Sequence, residues 1–138
     1  MKKHGSTFEY TRQRDDDLMR AYRLALHQSN HISMPDIFRC VVAMPSERFW
    51  VSEERAAIVI SAMMKGATFP NMYKTKREMF EEIYRRVLAL RLKRPKLSVF
   101  DLTFEVVRQR APQFYLTPGS AKVIISKIKK RKREEKYS

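Results

Sequence analysis

The residues best suited to chemistry are basic and lie near the C-terminus. Four polar or charged side chains recur there at the spacing of one helix face: Lys122, Ser126, Lys129 and Arg133. A row of ammonium and guanidinium groups neutralises phosphates, so we expect this face to contact the backbone of a nucleic acid. The face has no Asn or Gln to read adenine, which favours contacts with phosphates over contacts with base edges.

Residues around this face extend the expected interface. The same helix begins with small, uncharged residues, and at Gly119 and Ser120 its backbone N–H groups would lie close to an anion. Further phosphate contacts are expected from five neighbouring cations: Arg108, Arg110, Lys130, Arg131 and Lys132. The run from residue 127 to residue 133 has six basic residues in seven. Taken alone, it is typical of an electrostatic arm, an import signal or a solubilising tail.

The other reactive residue types do not form a site in the sequence. His27 and His31 are four residues apart, but a zinc site needs three or four protein ligands and no further one stands beside them. The acidic run 15–17 is expected to be the first turn of a helix rather than a magnesium site. Cys40 is expected to be a small, partly buried hydrophobe. We therefore predict no metal, no cofactor and no enzymatic activity.

Composition limits the class of protein. The 138 residues include 29 Lys and Arg against 15 Asp and Glu, a net charge of +14, and 43% are hydrophobic, which is too many for a disordered polycation. Three glycines leave no room for a glycine-rich phosphate loop, and a single cysteine suits a reducing compartment. No signal peptide and no membrane span are predicted. We expect a cytoplasmic protein, associated with the nucleoid, or a nuclear one in a eukaryote.

The chain repeats itself at a constant spacing. Adding 65 to a position in the first half gives the same residue type in the second: Ser33 and Ser98, Asp36 and Asp101, Phe49 and Phe114, Ala56 and Ala121, Ser61 and Ser126. This agreement predicts an internal duplication of one supersecondary unit. The expected organisation is an N-terminal arm (1–10), a first repeat (11–66), a linker (67–74), a second repeat (75–128) and a basic tail (129–138).

Each repeat is predicted to form three helices, so the expected fold is all-α, with two tandem three-helix units packed into one small globule. In the second repeat, a capping box at Thr75 begins the first helix and Ser98 caps the second. Thr117 caps the third helix, with Pro118 in its first turn. Apolar residues then recur at helical rather than strand spacing: Ala121, Ile124, Ile125 and Ile128.

Three short helices with a basic third helix, as in residues 75–133, resemble the tri-helical helix-turn-helix class of homeodomain-like and Myb-like modules. The resemblance covers nearly the whole chain, and it implies that the third helix of a repeat contacts DNA. Aromatic pairs, Phe49-Trp50 and Phe114-Tyr115, precede both third helices. Because both repeats keep them, we expect packing in the core, with Trp50 and Tyr115 half-exposed, rather than stacking on bases.

The two halves of the chain differ in charge. Residues 1–69 have ten basic and eight acidic residues, a net of +2, whereas residues 70–138 have nineteen and seven, a net of +12. In the first repeat, the positions of the basic face are occupied by Ala57, Ser61 and Met64. We therefore expect the second repeat to bind nucleic acid. The first would present an apolar surface to a protein partner, to a second copy of the chain or to the other repeat.

These observations favour a small, non-enzymatic DNA-binding protein, a regulator or accessory factor that holds the phosphate backbone. Two alternatives use the same charges. The first is an RNA-binding or ribosome-associated protein, which the sequence separates poorly from a DNA-binding one. The second is a protein-interaction adaptor whose basic end docks on an acidic partner or an anionic membrane.

Overall fold

The structure is a computed structural model that describes residues 2–28 and 33–137; His31 lies outside them. The described residues form six helices and no strand, which confirms the all-α prediction. In chain order they are α1 (Lys2–Gln28), α2 (Met34–Ala43), α3 (Glu53–Met64), α4 (Lys74–Lys93), α5 (Val99–Val107) and α6 (Pro118–Tyr137). Because α1 begins at Lys2 and α6 continues to Tyr137, the segments expected to be an arm and a tail are largely helical.

Hydroxyl caps determine where three of the helices begin. Ser52, Ser98 and Thr117 each accept a hydrogen bond at 3.1 Å from the backbone N–H three residues further on. Helices α3, α5 and α6 therefore start where their caps were predicted, and Pro118 is the first residue of α6. Helix α4 differs, because it begins directly after Tyr73 without a side-chain cap and not at the predicted capping box.

The helices form two compact units, and these units do not coincide with the sequence repeats. Unit 1 contains α1, α2 and α6, with the adjoining segments up to Ser46 and from Pro112; unit 2 spans residues 47–111 and contains α3, α4 and α5. In unit 1, α6 packs on α1 and α2, and in unit 2, α3 packs on α4 and α5. The predicted repeats 11–66 and 75–128 are therefore stretches of sequence rather than compact bodies.

Unit 1 is held by an apolar core and by ion pairs along α1. Asp15 and Asp17 lie in the middle of α1 and are 5% and 2% exposed, so the prediction of an acidic first turn is wrong. Asp17 pairs with Arg20 at 2.6 Å, and Asp15 pairs with Arg14 at 3.1 Å and with Arg131 at 3.2 Å. The sequence had no signal for this burial, because the start of α1 lacks a recognisable cap.

Helix α2 turns its apolar residues inward and leaves its cysteine outside. Ile37, Phe38, Val41 and Val42 are buried, whereas Cys40 is exposed. The predicted partial burial of Cys40 is wrong because its position in the helical period lies opposite the Ile37–Val41 stripe.

The two aromatic pairs are largely internal. Phe49 and Phe114 are buried, as predicted, and Trp50 is half-buried. Tyr115 is more buried than expected, at 8% exposure, and its φ of 57° lies in the left-handed region that bulky side chains rarely adopt. Packing around the Tyr115 ring must therefore offset a strained backbone at the start of the segment that leads into α6.

Candidate functional site

Helix α6 carries the predicted basic face. Its inner stripe of Ala121, Ile125 and Ile128 is buried, and the helix packs on α1 and α2. Every Lys and Arg of the helix is exposed: Lys122, Lys127, Lys129, Lys130, Arg131, Lys132, Arg133 and Lys136. Ser126 is also exposed, so the structure brings the predicted face of Lys122, Ser126, Lys129 and Arg133 together on one helix.

The apolar stripe ends before the helix does. Lys132 stands four residues after Ile128, in line with the buried stripe, and is nevertheless exposed. In the described part of α6 no residue after Ile128 is buried, so residues 129–137 present every side to solvent. At 1.5 Å per residue this exposed stretch is about 14 Å long. Cations on this stretch therefore surround the helix rather than forming one face.

Two of the predicted phosphate-binding residues are engaged with α1. The ammonium group of Lys129 donates a hydrogen bond of 2.7 Å to the Tyr22 hydroxyl and lies 4.4 Å from the centroid of its ring. Arg131 forms the ion pair with Asp15 described above. Both contacts hold α6 against α1, so a phosphate would have to share or displace these side chains.

Five cations of α6 have no ion-pair partner among the described residues, and we refer to them as the α6 cationic surface. The five are Lys122, Lys127, Lys130, Lys132 and Arg133. An unpaired ammonium or guanidinium group in water offers its full charge to an incoming anion. These side chains are therefore the part of α6 most available to a phosphate.

The start of α6 offers less to an anion than the sequence suggested. Gly119 and Ser120 are both exposed, and the space around Gly119 is open. The Ser120 N–H, however, donates to the Thr117 hydroxyl in the cap, and Pro118 has no N–H. The cap therefore uses one of the two backbone donors that the sequence assigned to a phosphate.

Arg108 and Arg110 belong to unit 2, at the end of α5, and not to the unit that contains α6. Arg108 pairs with Glu53 at 3.1 Å, and the Arg110 carbonyl accepts a hydrogen bond of 2.8 Å from Arg86. Partial burial acts to raise the pKa of Glu53. A hydrogen bond to the Glu53 backbone and the Arg48 and Arg108 guanidinium groups outweigh that effect and lower the pKa. Arg108 is thus already matched to a carboxylate.

The expected protein-contact face on α3 is largely internal. Ala57 is 0% exposed, and Ser61 and Met64 are half-buried. The Met64 sulfur accepts a hydrogen bond of 3.5 Å from Arg91 of α4. The prediction that Ala57 meets a second protein is therefore wrong, because α3 uses this side to pack within unit 2.

Unit 2 contains a cavity that sequence reasoning missed. Its volume is about 570 Å³, and the residues around it include Trp50, Arg55, Phe69, Asn71, Tyr73 and Lys76. Segment 67–74 was interpreted only as a linker, although Phe69 and Tyr73 are aromatic. Two large aromatic residues in a short connection are a signal that could have indicated a binding surface.

Charge is distributed differently over the units than over the sequence halves. Segments 1–46 and 112–138 have 15 basic and 7 acidic residues, a net of +8, and segment 47–111 has 14 and 8, a net of +6. No group of three or more metal-binding side chains occurs in the described residues. None of the described helices is both long and apolar enough to cross a membrane. Comparisons with known protein families, with curated proteins and with solved structures found no match to this chain.

Proposed function

We propose that the chain binds nucleic acid through α6 and holds the phosphate backbone of duplex DNA with its cations. The observation that carries this proposal is the exposure of all eight Lys and Arg residues of α6, on a helix anchored by a separate apolar stripe. Anchoring matters because a fixed row of cations loses less conformational freedom on binding than a flexible tail does. On this view, α6 is a preorganised phosphate-binding helix.

The α6 cationic surface leads us to expect a strong dependence on salt. Five phosphates neutralised on B-DNA correspond to a slope of about −4.5 for the logarithm of affinity against the logarithm of salt concentration. Affinity would then fall about 500-fold between 50 and 200 mM salt. Arg131 and Lys129 would add to this slope only if they exchange their α1 partners for phosphates.

We also propose that the chain is an internal duplication whose copies have exchanged their third helices. Two hydrogen bonds of 3.1 Å support this proposal. The Phe49 N–H donates to the Val107 carbonyl, and the Phe114 N–H donates to the Val42 carbonyl. Adding 65 to Phe49 and to Val42 converts the donor and acceptor of one bond into those of the other. Each bond joins a residue of one predicted repeat to a residue of the other.

This arrangement changes which helices would form the helix-turn-helix-like module. The helices that pack together in unit 1 are α1, α2 and α6, so α2 would support α6 as the DNA-contacting helix. Consecutive α5 and α6 belong to different units. The proposed module therefore takes its first two helices from one repeat and its third from the other.

A pair of charge-reversed variants tests binding through α6. Lys122→Glu with Lys130→Glu changes two residues of the α6 cationic surface, and Lys93→Glu with Lys96→Glu makes the same charge change on exposed residues of unit 2. Fluorescence anisotropy with a labelled duplex at 50 mM salt would measure both. We expect the α6 variant to lose at least about 100-fold in affinity and the control to lose much less.

The same titrations separate the alternatives. Equal losses in the two double variants would contradict a site on α6 and leave only non-specific attraction by net charge. Tighter binding to a structured RNA of equal length would replace DNA with RNA as the partner. An absence of binding to either nucleic acid at low salt would favour the adaptor with an acidic protein partner.

A further inference from the structure

We propose that the cavity in unit 2 binds an unpaired nucleotide of a single strand, with the base against aromatic side chains and a phosphate near two cations. This unit 2 pocket is defined by Trp50, Arg55, Phe69, Asn71, Tyr73 and Lys76. The inference rests on the proposed function for its ligand class, nucleic acid. It concerns a second site, however, made by residues of unit 2 alone.

The size and the walls of the pocket suit a planar ring. Its volume of about 570 Å³ lies within the range of small-molecule sites, about 300–1,000 Å³. Trp50 and Phe69 are half-buried, so their rings form fixed walls, whereas Tyr73 is 79% exposed at the rim. An aromatic side chain that remains in water beside two other rings gains most when a fourth flat surface stacks there.

The indole of Trp50 is held in position before any ligand binds. The Arg48 guanidinium lies 5.3 Å from the centroid of the ring and is not part of the pocket wall. Arg48 is itself fixed, because it donates hydrogen bonds to the Val51 carbonyl at 2.9 Å and to Glu53 at 3.3 Å. A preorganised aromatic wall lowers the entropic penalty of stacking a base.

Charge indicates an anionic ligand. Arg55 and Lys76 are exposed, line the pocket and have no ion-pair partner among the described residues. None of the described residues that line the pocket is acidic. An apolar peptide would cover the rings but leave both cations without a counter-ion. A nucleotide matches both features, because it joins an aromatic base to a phosphate.

Polar groups on the pocket wall would contact the edge of the base. The Thr68 hydroxyl and the Asn71 amide both line the cavity. An amide both donates and accepts hydrogen bonds, so it pairs with exocyclic groups of several bases. The bases of an intact duplex are paired and stacked inside the helix and do not reach such a pocket, so we assign it to a single strand or an unpaired end.

The chain supplies its own probe for this site. Trp50 is the one tryptophan in the sequence, so intrinsic tryptophan fluorescence reports on the pocket alone. Titration with oligo(dT) of about 12 nucleotides, within the site size of single-strand binders, is expected to quench the emission. A hairpin of similar length with every base paired is expected to bind through α6 with little quenching. The thymidine monophosphate tests whether a free nucleotide is sufficient.

Two variants and a matched control define the site. Tyr73→Ala removes an exposed ring that makes no side-chain cap for α4, and it is expected to weaken oligo(dT) binding about fivefold or more. Lys76→Glu should weaken binding and lower the single-strand salt slope by about 0.7 for the lost phosphate contact. Lys93→Glu makes the same charge change at the other end of α4, outside the pocket, and should leave quenching unchanged.

The outcomes separate this site from the one on α6. Quenching that persists in Lys122→Glu with Lys130→Glu and falls in Tyr73→Ala supports the pocket, whether or not duplex binding depends on α6. Equal affinity for the monophosphate and the oligomer would overturn the assignment to a strand. Unaltered Trp50 emission with oligo(dT) at saturating binding would overturn the pocket itself, even if α6 binds duplex DNA as proposed.

Discussion

Helices α3 and α6 use a similar sequence pattern for different purposes. Ile60 of α3 and Ile125 of α6, 65 residues apart, are both buried. Beside this stripe, Ala57 is fully buried, whereas Lys122, also 65 residues later, is exposed. A small residue there lets α3 bury a wider face against α4 and α5. A lysine keeps the buried face of α6 narrow and leaves the rest of the helix to solvent, where charge can act.

Exchange of residues at this position should have the largest effect. Ala57→Lys places an ammonium group and four methylenes in a packed core, so we expect the free energy of unfolding to fall by about 4 kcal/mol or more. Lys122→Ala should change it by less than about 0.5 kcal/mol, because the site is exposed. Urea denaturation followed by circular dichroism measures both. Similar losses in the two variants would contradict the contrast between the two helices.

The next largest effect comes from the shared stripe. Ile60→Ala and Ile125→Ala each remove a buried side chain, and we expect each to lower the free energy of unfolding by about 2–5 kcal/mol. Only Ile125→Ala is also expected to weaken duplex binding, since it loosens the anchor of the proposed DNA-binding helix. Anisotropy titration below the unfolding transition checks this. Loss of binding in Ile60→Ala but not in Ile125→Ala would assign the interface to the wrong unit.

Helix type and helix boundaries were largely predictable because they depend on neighbouring residues. The hydroxyls of Ser52, Ser98 and Thr117 and the 3.6-residue spacing of apolar side chains act within one or two turns. The same local signals failed where a cap was lacking. Helix α4 begins after Tyr73 without one, and the start of α1 was missed, which placed Asp15 at a helix terminus instead of in a buried ion pair.

The partners of each helix were not predictable in the same way. Periodicity identifies the apolar stripe of α6, but any complementary stripe could cover it, and the sequence does not say that α1 and α2 do. The exposed face with Lys122 and Arg133 followed from the spacing alone. Arg108 was assigned to the same surface only because it is close in sequence, and its unit and its pairing with Glu53 depend on tertiary packing.

Loss of a helix cap should have a smaller effect than loss of the stripe. Ser52→Ala and Thr117→Ala each remove a hydroxyl that accepts a 3.1 Å hydrogen bond, and we expect each to lower the free energy of unfolding by about 1 kcal/mol. Thr117→Ala also frees the Ser120 N–H. If an anion binds at the start of α6, Thr117→Ala should bind sulfate at least as well as the unaltered chain does. Ser52→Ala serves as the matched control, because α3 begins with Glu53.

The smallest expected effect concerns that glutamate, which has no carboxylate counterpart in α6. Because the pKa of Glu53 in the folded chain is below its ordinary value of 4.5, the ionised form stabilises the fold. That stabilisation is complete above the ordinary value and is lost as the pH falls through the lower, folded-state pKa. We expect Glu53→Gln to reduce the free energy of unfolding by less than about 1 kcal/mol at neutral pH, because the pairs with Arg48 and Arg108 are partly exposed. The difference between the two proteins should vanish at a pH of about 3 or below, and urea titrations across this range measure it. A difference that stays constant with pH would show that Glu53 acts through its size and not its charge.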